Sequence, residues 1–390
     1  GERAQHLIRK TFDITVRVAP PLSTDWKKFL EAKLDEAFSE PLSDSEKYKL
    51  FKLFDIDLQE NGSLPTPRNI ISYINSVGAI WNQWGDEIDV THMALYVLVR
   101  NTIESNNKQL KNGTCVNPRQ ARVLEDSAYL KNLAALHFNV QPEHAYQVLL
   151  GQDIERLAIS SNTDEFVELS KSPGFIEVFP DVVLMRVEQW AKDGADYVAK
   201  LAQNMAHPEV AGEYLHEAWR HMAEAVSFFN GCDTSAPEEY EGLAELVAHL
   251  GDAEASQCAT KVLDWFTRNL PKAEERSAED GDTWLNFFAA IHQGLAQASG
   301  DQAAQALVAQ TKCPNGPPFT LGVCAACTEH TTIDFNKFGR SEKEASLKAA
   351  ALNLVETNVP QLAAALLSKP KFATDTVFSE LTDKLCERIQ

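Results

Sequence analysis

Nearly the only stretch of this chain that alternates apolar and polar residues convincingly at the period of a strand lies near its start. Residues 11–19 set Phe12, Ile14, Val16 and Val18 against Asp13, Thr15 and Arg17, which reads as a half-buried strand. One strand cannot make a sheet. Elsewhere apolar residues recur three and four apart behind residues that cap helices, so the chain must bury its core by packing helix on helix. The expected fold is mainly α: a small N-terminal helical bundle with one orphan strand, followed by an irregular all-helical array or bundle.

The cap signals divide the first part of the chain into short helices. After Pro20-Pro21, Asp25 is the expected cap of a helix with Trp26, Phe29, Leu30, Leu34 and Phe38 on one side. Ser43-Asp44-Ser45-Glu46 reads as a capping box ahead of Leu50, Phe51, Leu53 and Phe54. Thr66 is a good N-cap and Pro67 suits the first helical position, with Ile70, Ile71, Ile74, Val77 and Trp81 on the predicted buried face. Asp89 caps the next helix, with Met93, Ala94, Val97 and Leu98 inward. Residues 105–122 are polar, contain Asn112-Gly113 and Asn117-Pro118, and read as a loop.

Helices are expected to resume near Val123 and again at Pro142, with a turn at Ser172-Pro173-Gly174. Further starts are expected at Pro180, Pro208, Pro237, Asp252, Ser277, Asp301, Ser341, Pro360 and Thr374. Their spacing is irregular and no repeat consensus aligns. The expected domains are therefore a helical segment at 1–105, connecting helices at 106–174, and an all-helical domain at 175–390. An array of this kind, solenoid-like in one of its forms, offers extended surfaces to protein partners.

Charge narrows the partners. A net charge of −20 on 390 residues argues against broad nucleic-acid binding, which needs basic surface to displace counterions. No apolar run approaches 18 residues, so no membrane span is expected in this chain, and the N-terminus lacks a signal-peptide pattern. Seven scattered cysteines, an odd count, fit a reducing compartment. The expected location is cytoplasmic.

One constellation has metal-ligand chemistry. Cys313, Cys324, Cys327 and His330 place three thiols and an imidazole within 18 residues, enough for a tetrahedral zinc site. The same spacing also fits small buried residues of a helix, or a redox pair, which lacks a thioredoxin-like context here. His216 and His221 stand five apart, about 140° around a helix, where zinc needs four. Glu213 and His216 have di-iron spacing, but no second such motif exists. No Gly-x-Ser-x-Gly elbow occurs. His92, His137 and His144 are isolated, and Trp81 and Trp84 read as packing residues.

Arg68 is the remaining candidate. It falls in the first turn of the helix opened by Thr66-Pro67, where a cation opposes the helix dipole. A guanidinium beside unused N–H donors makes an anion site. The alternative is an arginine extended into solvent or paired with a carboxylate.

The order Phe12 to Pro21, Trp26 to Phe38, Thr66 to Asn75 and Ile88 to Arg100, followed by Leu133 to Phe138 and Ala145 to Leu150, resembles the segment after the nucleotide-binding core in KAP-type P-loop NTPases. The resemblance covers about the first 160 residues. It implies that Arg68 is a nucleotide-sensing arginine like the "sensor 2" residue of AAA+ lids. No Gly-x-x-x-x-Gly-Lys-Ser/Thr occurs in the sequence, so the resemblance places the ATP- and magnesium-binding core before residue 1. This chain alone would then hold no cofactor and hydrolyse no ATP. It would sense the nucleotide state of that core and relay it to a helical protein-interaction domain. The resemblance also implies an association with bacterial intracellular functions, and a parent protein that can be membrane-associated. The alternative expectation is a stand-alone helical scaffold that binds protein partners without a nucleotide link, using strand 12–18 for β-augmentation.

Overall fold

A computed structural model describes residues 23–210 and 212–314, together with Phe319, Gly322, Val323, Ala326, His330, Thr332, Ile333, Lys337 and Phe338. The described residues form sixteen α-helices and no β-strand. The expected strand at 11–19 and the expected helix starts at Ser341, Pro360 and Thr374 lie outside them. The chain divides into two compact units, residues 1–149 and 150–390. The division falls within a helix, and the Ser172-Pro173-Gly174 turn lies inside the second unit.

The first unit contains α1 (Ser23–Ala37), α2 (Asp44–Glu60), α3 (Pro67–Trp84), α4 (Val90–Ser105), α5 (Asn107–Lys111), α6 (Pro118–Leu124), α7 (Tyr129–Phe138) and the start of α8 (Pro142–Ala158). Its centre is α4, which packs against α2, α3 and α7 and buries Val90 to Leu95, Val99 and Ile103. Here α1 lies against α2 and α3. Trp26 sits 4.6 Å from the Phe51 ring, and Phe54 stacks on Tyr73 at 4.8 Å. Burying one such aromatic side chain stabilises the fold by about 1.5–3 kcal/mol.

The caps at Ser43, Thr66 and Asp89 form as the sequence predicts, including the reciprocal Ser43–Glu46 box. Asp25 instead lies inside the first turn of α1. Along α3 the buried stripe runs through Ile70, Tyr73, Ile74, Val77 and Trp84. Ile71, 100° around the helix from Ile70, falls off this stripe and is exposed, and Trp81 is only half-buried. On α4, Leu95 and Val99 are buried where Val97 and Leu98 were expected inward. The expected loop at 105–122 contains α5 and the start of α6. Asn117-Pro118 looks like a breaker but is an N-cap followed by an N1 proline, with Gln120 completing a capping box.

The second unit holds the end of α8, then α9 (Thr163–Ser170), α10 (Phe175–Asp193), α11 (Ala195–Met205), α12 (His216–Ala225), α13 (Gly242–Ala248), α14 (Asp252–Arg268), α15 (Ala278–Ser299) and α16 (Asp301–Gln310). These helices stack in two rows. One row is α9, α11, α13 and α15; the other is α10, α12, α14 and α16; each helix packs on the next member of its own row. Across the rows the packed pairs are α9 with α10, α10 with α11, α12 with α13, α13 with α14, α14 with α15 and α15 with α16. Among the described residues, every major contact between α-helices of this unit therefore joins helices one or two apart in the chain, as in a helical solenoid. Helix lengths vary from 7 residues in α13 to 22 in α15.

The first row is held at backbone distance. A methyl group added at Gly242 of α13 would collide with the carbonyl oxygen of Ala199 on α11, and one at Gly294 of α15 with that of Ala244 on α13. The row continues onto Phe319, Gly322, Val323 and Ala326, which are helical and buried. There Gly281 meets the Phe319 carbonyl and Gly322 meets that of Ala278.

Asp252 and Asp301 open helices as predicted, and Ser277 caps one. Pro180 does not: α10 starts at Phe175 behind the left-handed Gly174 (φ +86°), and the proline sits inside the helix on a half-exposed side. Pro208 lies in a turn, and α12 begins only at His216. Pro237 opens a short 3-10 turn, Pro237–Tyr240, whose Tyr240 is buried 5.3 Å from the Trp265 ring.

Candidate functional site

Arg68 stands on α3 where the cap signal puts it. The Thr66 hydroxyl accepts from Asn69 N–H at 3.2 Å, Ile70 N–H donates to the Thr66 carbonyl at 3.1 Å, and Pro67 has no N–H. The cap therefore leaves one amide donor in the first turn, that of Arg68 itself. Its side chain is exposed and makes no hydrogen bond or ion pair among the described residues. The site offers one guanidinium and one amide, fewer donors than the bare helix start suggests.

The Cys/His constellation is only partly within the described residues. Cys324 and Cys327 lie outside them. Cys313 is half-buried, with Sγ 3.8 Å from the Pro314 carbonyl, and His330 Nε2 lies 2.8 Å from Oδ1 of Asn286 on α15. A metal would have to take the other ring nitrogen. No group of three or more His, Cys, Asp or Glu side chains among the described residues is arranged to hold a metal ion. Glu213 belongs to a 3-10 turn ahead of α12, so it does not share an α-helical turn with His216. His221 faces Glu224 at 3.7 Å.

The thiols of Cys115, Cys258 and half-buried Cys232 are chemically quiet. Burial pushes Cys115 up to about 11, and Cys232 and Cys258 up to about 12, which leaves almost no thiolate at neutral pH.

A polar cluster that the sequence does not reveal surrounds His92 on α4. Its Nδ1 lies 2.8 Å from the Asn132 amide nitrogen, and its Nε2 lies 3.2 Å from the Asp126 carboxylate without hydrogen-bond alignment. These partners come from a turn and another helix, 34 and 40 positions away, so no spacing could announce them. With both nitrogens turned to neighbours, His92 reads as a structural histidine.

The surfaces of the second unit differ between its rows. Helices α9, α11, α13 and α15 carry Asp164, Glu165, Glu168, Asp196, Glu245, Glu279, Asp280 and Asp282 but one basic residue, Lys200. Lys200 is tied to Asp196 at 2.9 Å. The other row is acidic too, yet it also bears Arg186, Lys192, Arg220, Lys261 and Arg268. A cleft between α12 and α14 is lined by Arg220, Glu224, Glu254, Gln257, Cys258 and Lys261, with Arg220 and Glu254 paired at 3.1 Å. On α10 the large side chains Ile176, Leu184 and Met185 are more than half exposed. No helix among the described residues is long and apolar enough to cross a membrane.

No family model matches the chain, and no curated protein or solved structure matches it either.

Proposed function

We propose that the chain is a non-catalytic helical scaffold whose second unit binds a protein partner along the α9, α11, α13 and α15 row. The observation that supports this reading is the two-row stacking, which sets the helices of one row side by side and so builds an extended surface from short elements. Gly242, Gly294, Gly281 and Gly322 let neighbours in that row meet at backbone distance. The partner that fits is a Lys/Arg-rich segment, because the helices of this row carry eight carboxylates, of which Glu168 and Glu165 face Lys171 and Arg156, and one lysine, already paired with Asp196.

Selection of a random peptide library on the immobilised protein tests this. Enriched peptides are expected to be rich in Lys and Arg. They should bind at least tenfold more weakly to Glu165→Lys/Glu245→Lys/Asp282→Lys than to wild type. The control Glu188→Lys/Glu217→Lys/Asp264→Lys, on the other row, should change binding less than threefold. Equal loss in both variants, or no enrichment, overturns the reading.

A second reading, the nucleotide-state relay of a KAP-type NTPase, is favoured by Arg68 at the start of α3, exposed and without an ion pair among the described residues. Its test is a thermal shift with ATP and magnesium on the full-length parent protein, wild type against Arg68→Ala. Loss of the nucleotide-dependent shift in the variant supports it, and an equal response removes it.

A further inference from the structure

We draw no further inference here: the strongest candidate, the exposed apolar side chains of Ile176, Leu184 and Met185 on α10, carries nothing because they do not share one face of the helix and nothing in the structure shows what covers them.

Discussion

The side-chain amide of Asn204 donates to the main-chain carbonyl of Ala158 at 2.9 Å. The same nitrogen also reaches the carbonyls of Leu157 at 3.3 Å and Ser160 at 3.1 Å, while its Oδ1 accepts from the Thr163 hydroxyl at 2.8 Å. One residue on α11 thus satisfies carbonyls left over at the end of α8 and pins the first residue of α9. Asn204 is 1% exposed, so water cannot take over these bonds.

Asn204→Ala is therefore expected to destabilise the protein by about 2–3 kcal/mol, since the carbonyls of Ala158 and Ser160 lose this donor and the Thr163 hydroxyl loses its acceptor together. Asn204→Asp should be at least as costly, because it turns a carboxylate toward acceptors. Urea midpoints decide this, and a loss below about 0.5 kcal/mol for both variants would show that the latch is dispensable.

Glycine substitutions should split by location. Gly242→Ala and Gly294→Ala push a methyl into a neighbouring carbonyl and should each destabilise by about 1–3 kcal/mol. Gly78→Ala, in the middle of α3 with open space around the new methyl, should stabilise by about 0.5–1 kcal/mol. Differential scanning calorimetry of the three variants gives the signs directly.

At the start of α3, Thr66→Ala should cost about 1 kcal/mol through loss of the cap to Asn69. Arg68→Ala should stay within about 0.5 kcal/mol, because the arginine is exposed and makes no hydrogen bond or ion pair among the described residues. If chemical denaturation shows Arg68→Ala to be the more damaging change, the side chain has a structural partner after all.

His292 on α15 should make stability fall in acid. Burial lowers its pKa below the ordinary 6.5, opposed in part by Asp301, and its Nε2 has no partner among the described residues. A histidine kept neutral by the fold binds fewer protons than in the unfolded chain. Its contribution is whole above 6.5 and is lost as pH falls through the depressed value. Comparing Tm between pH 7.5 and pH 5 should show a smaller drop for His292→Leu than for wild type. An identical pH dependence in the two would exclude His292 as a source. Half-buried His137 on α7 is shifted down as well and adds to the drop common to both.

What could be read from the sequence is what lies within four residues of its own signal. Ser43, Thr66, Asp89 and Ser277 each act on an amide two or three positions on, and all four caps form. Asn117 and Pro118 obey the same chemistry but sit in so polar a stretch that the helix behind them has little periodicity to show. Pro180 misleads for the opposite reason: α10 has enough buried surface, from Phe175 and Phe179 to Trp190, to carry a proline in its interior. The Asn204–Ala158 contact and the two-row stacking depend on which helices meet, and unequal helix lengths hide that from any fixed period. At the candidate site the helix start at Arg68 was legible, but the number of amides left beside it depends on where the Thr66 hydroxyl turns.

The stacking of the second unit has a mechanical corollary. Among the described residues its major contacts between α-helices reach only one or two helices along the chain, and none of them ties one end of the stack to the other. Such a body yields as a spring does, spreading a pull over many small interfaces, and it can unravel from an end while its middle stays wound.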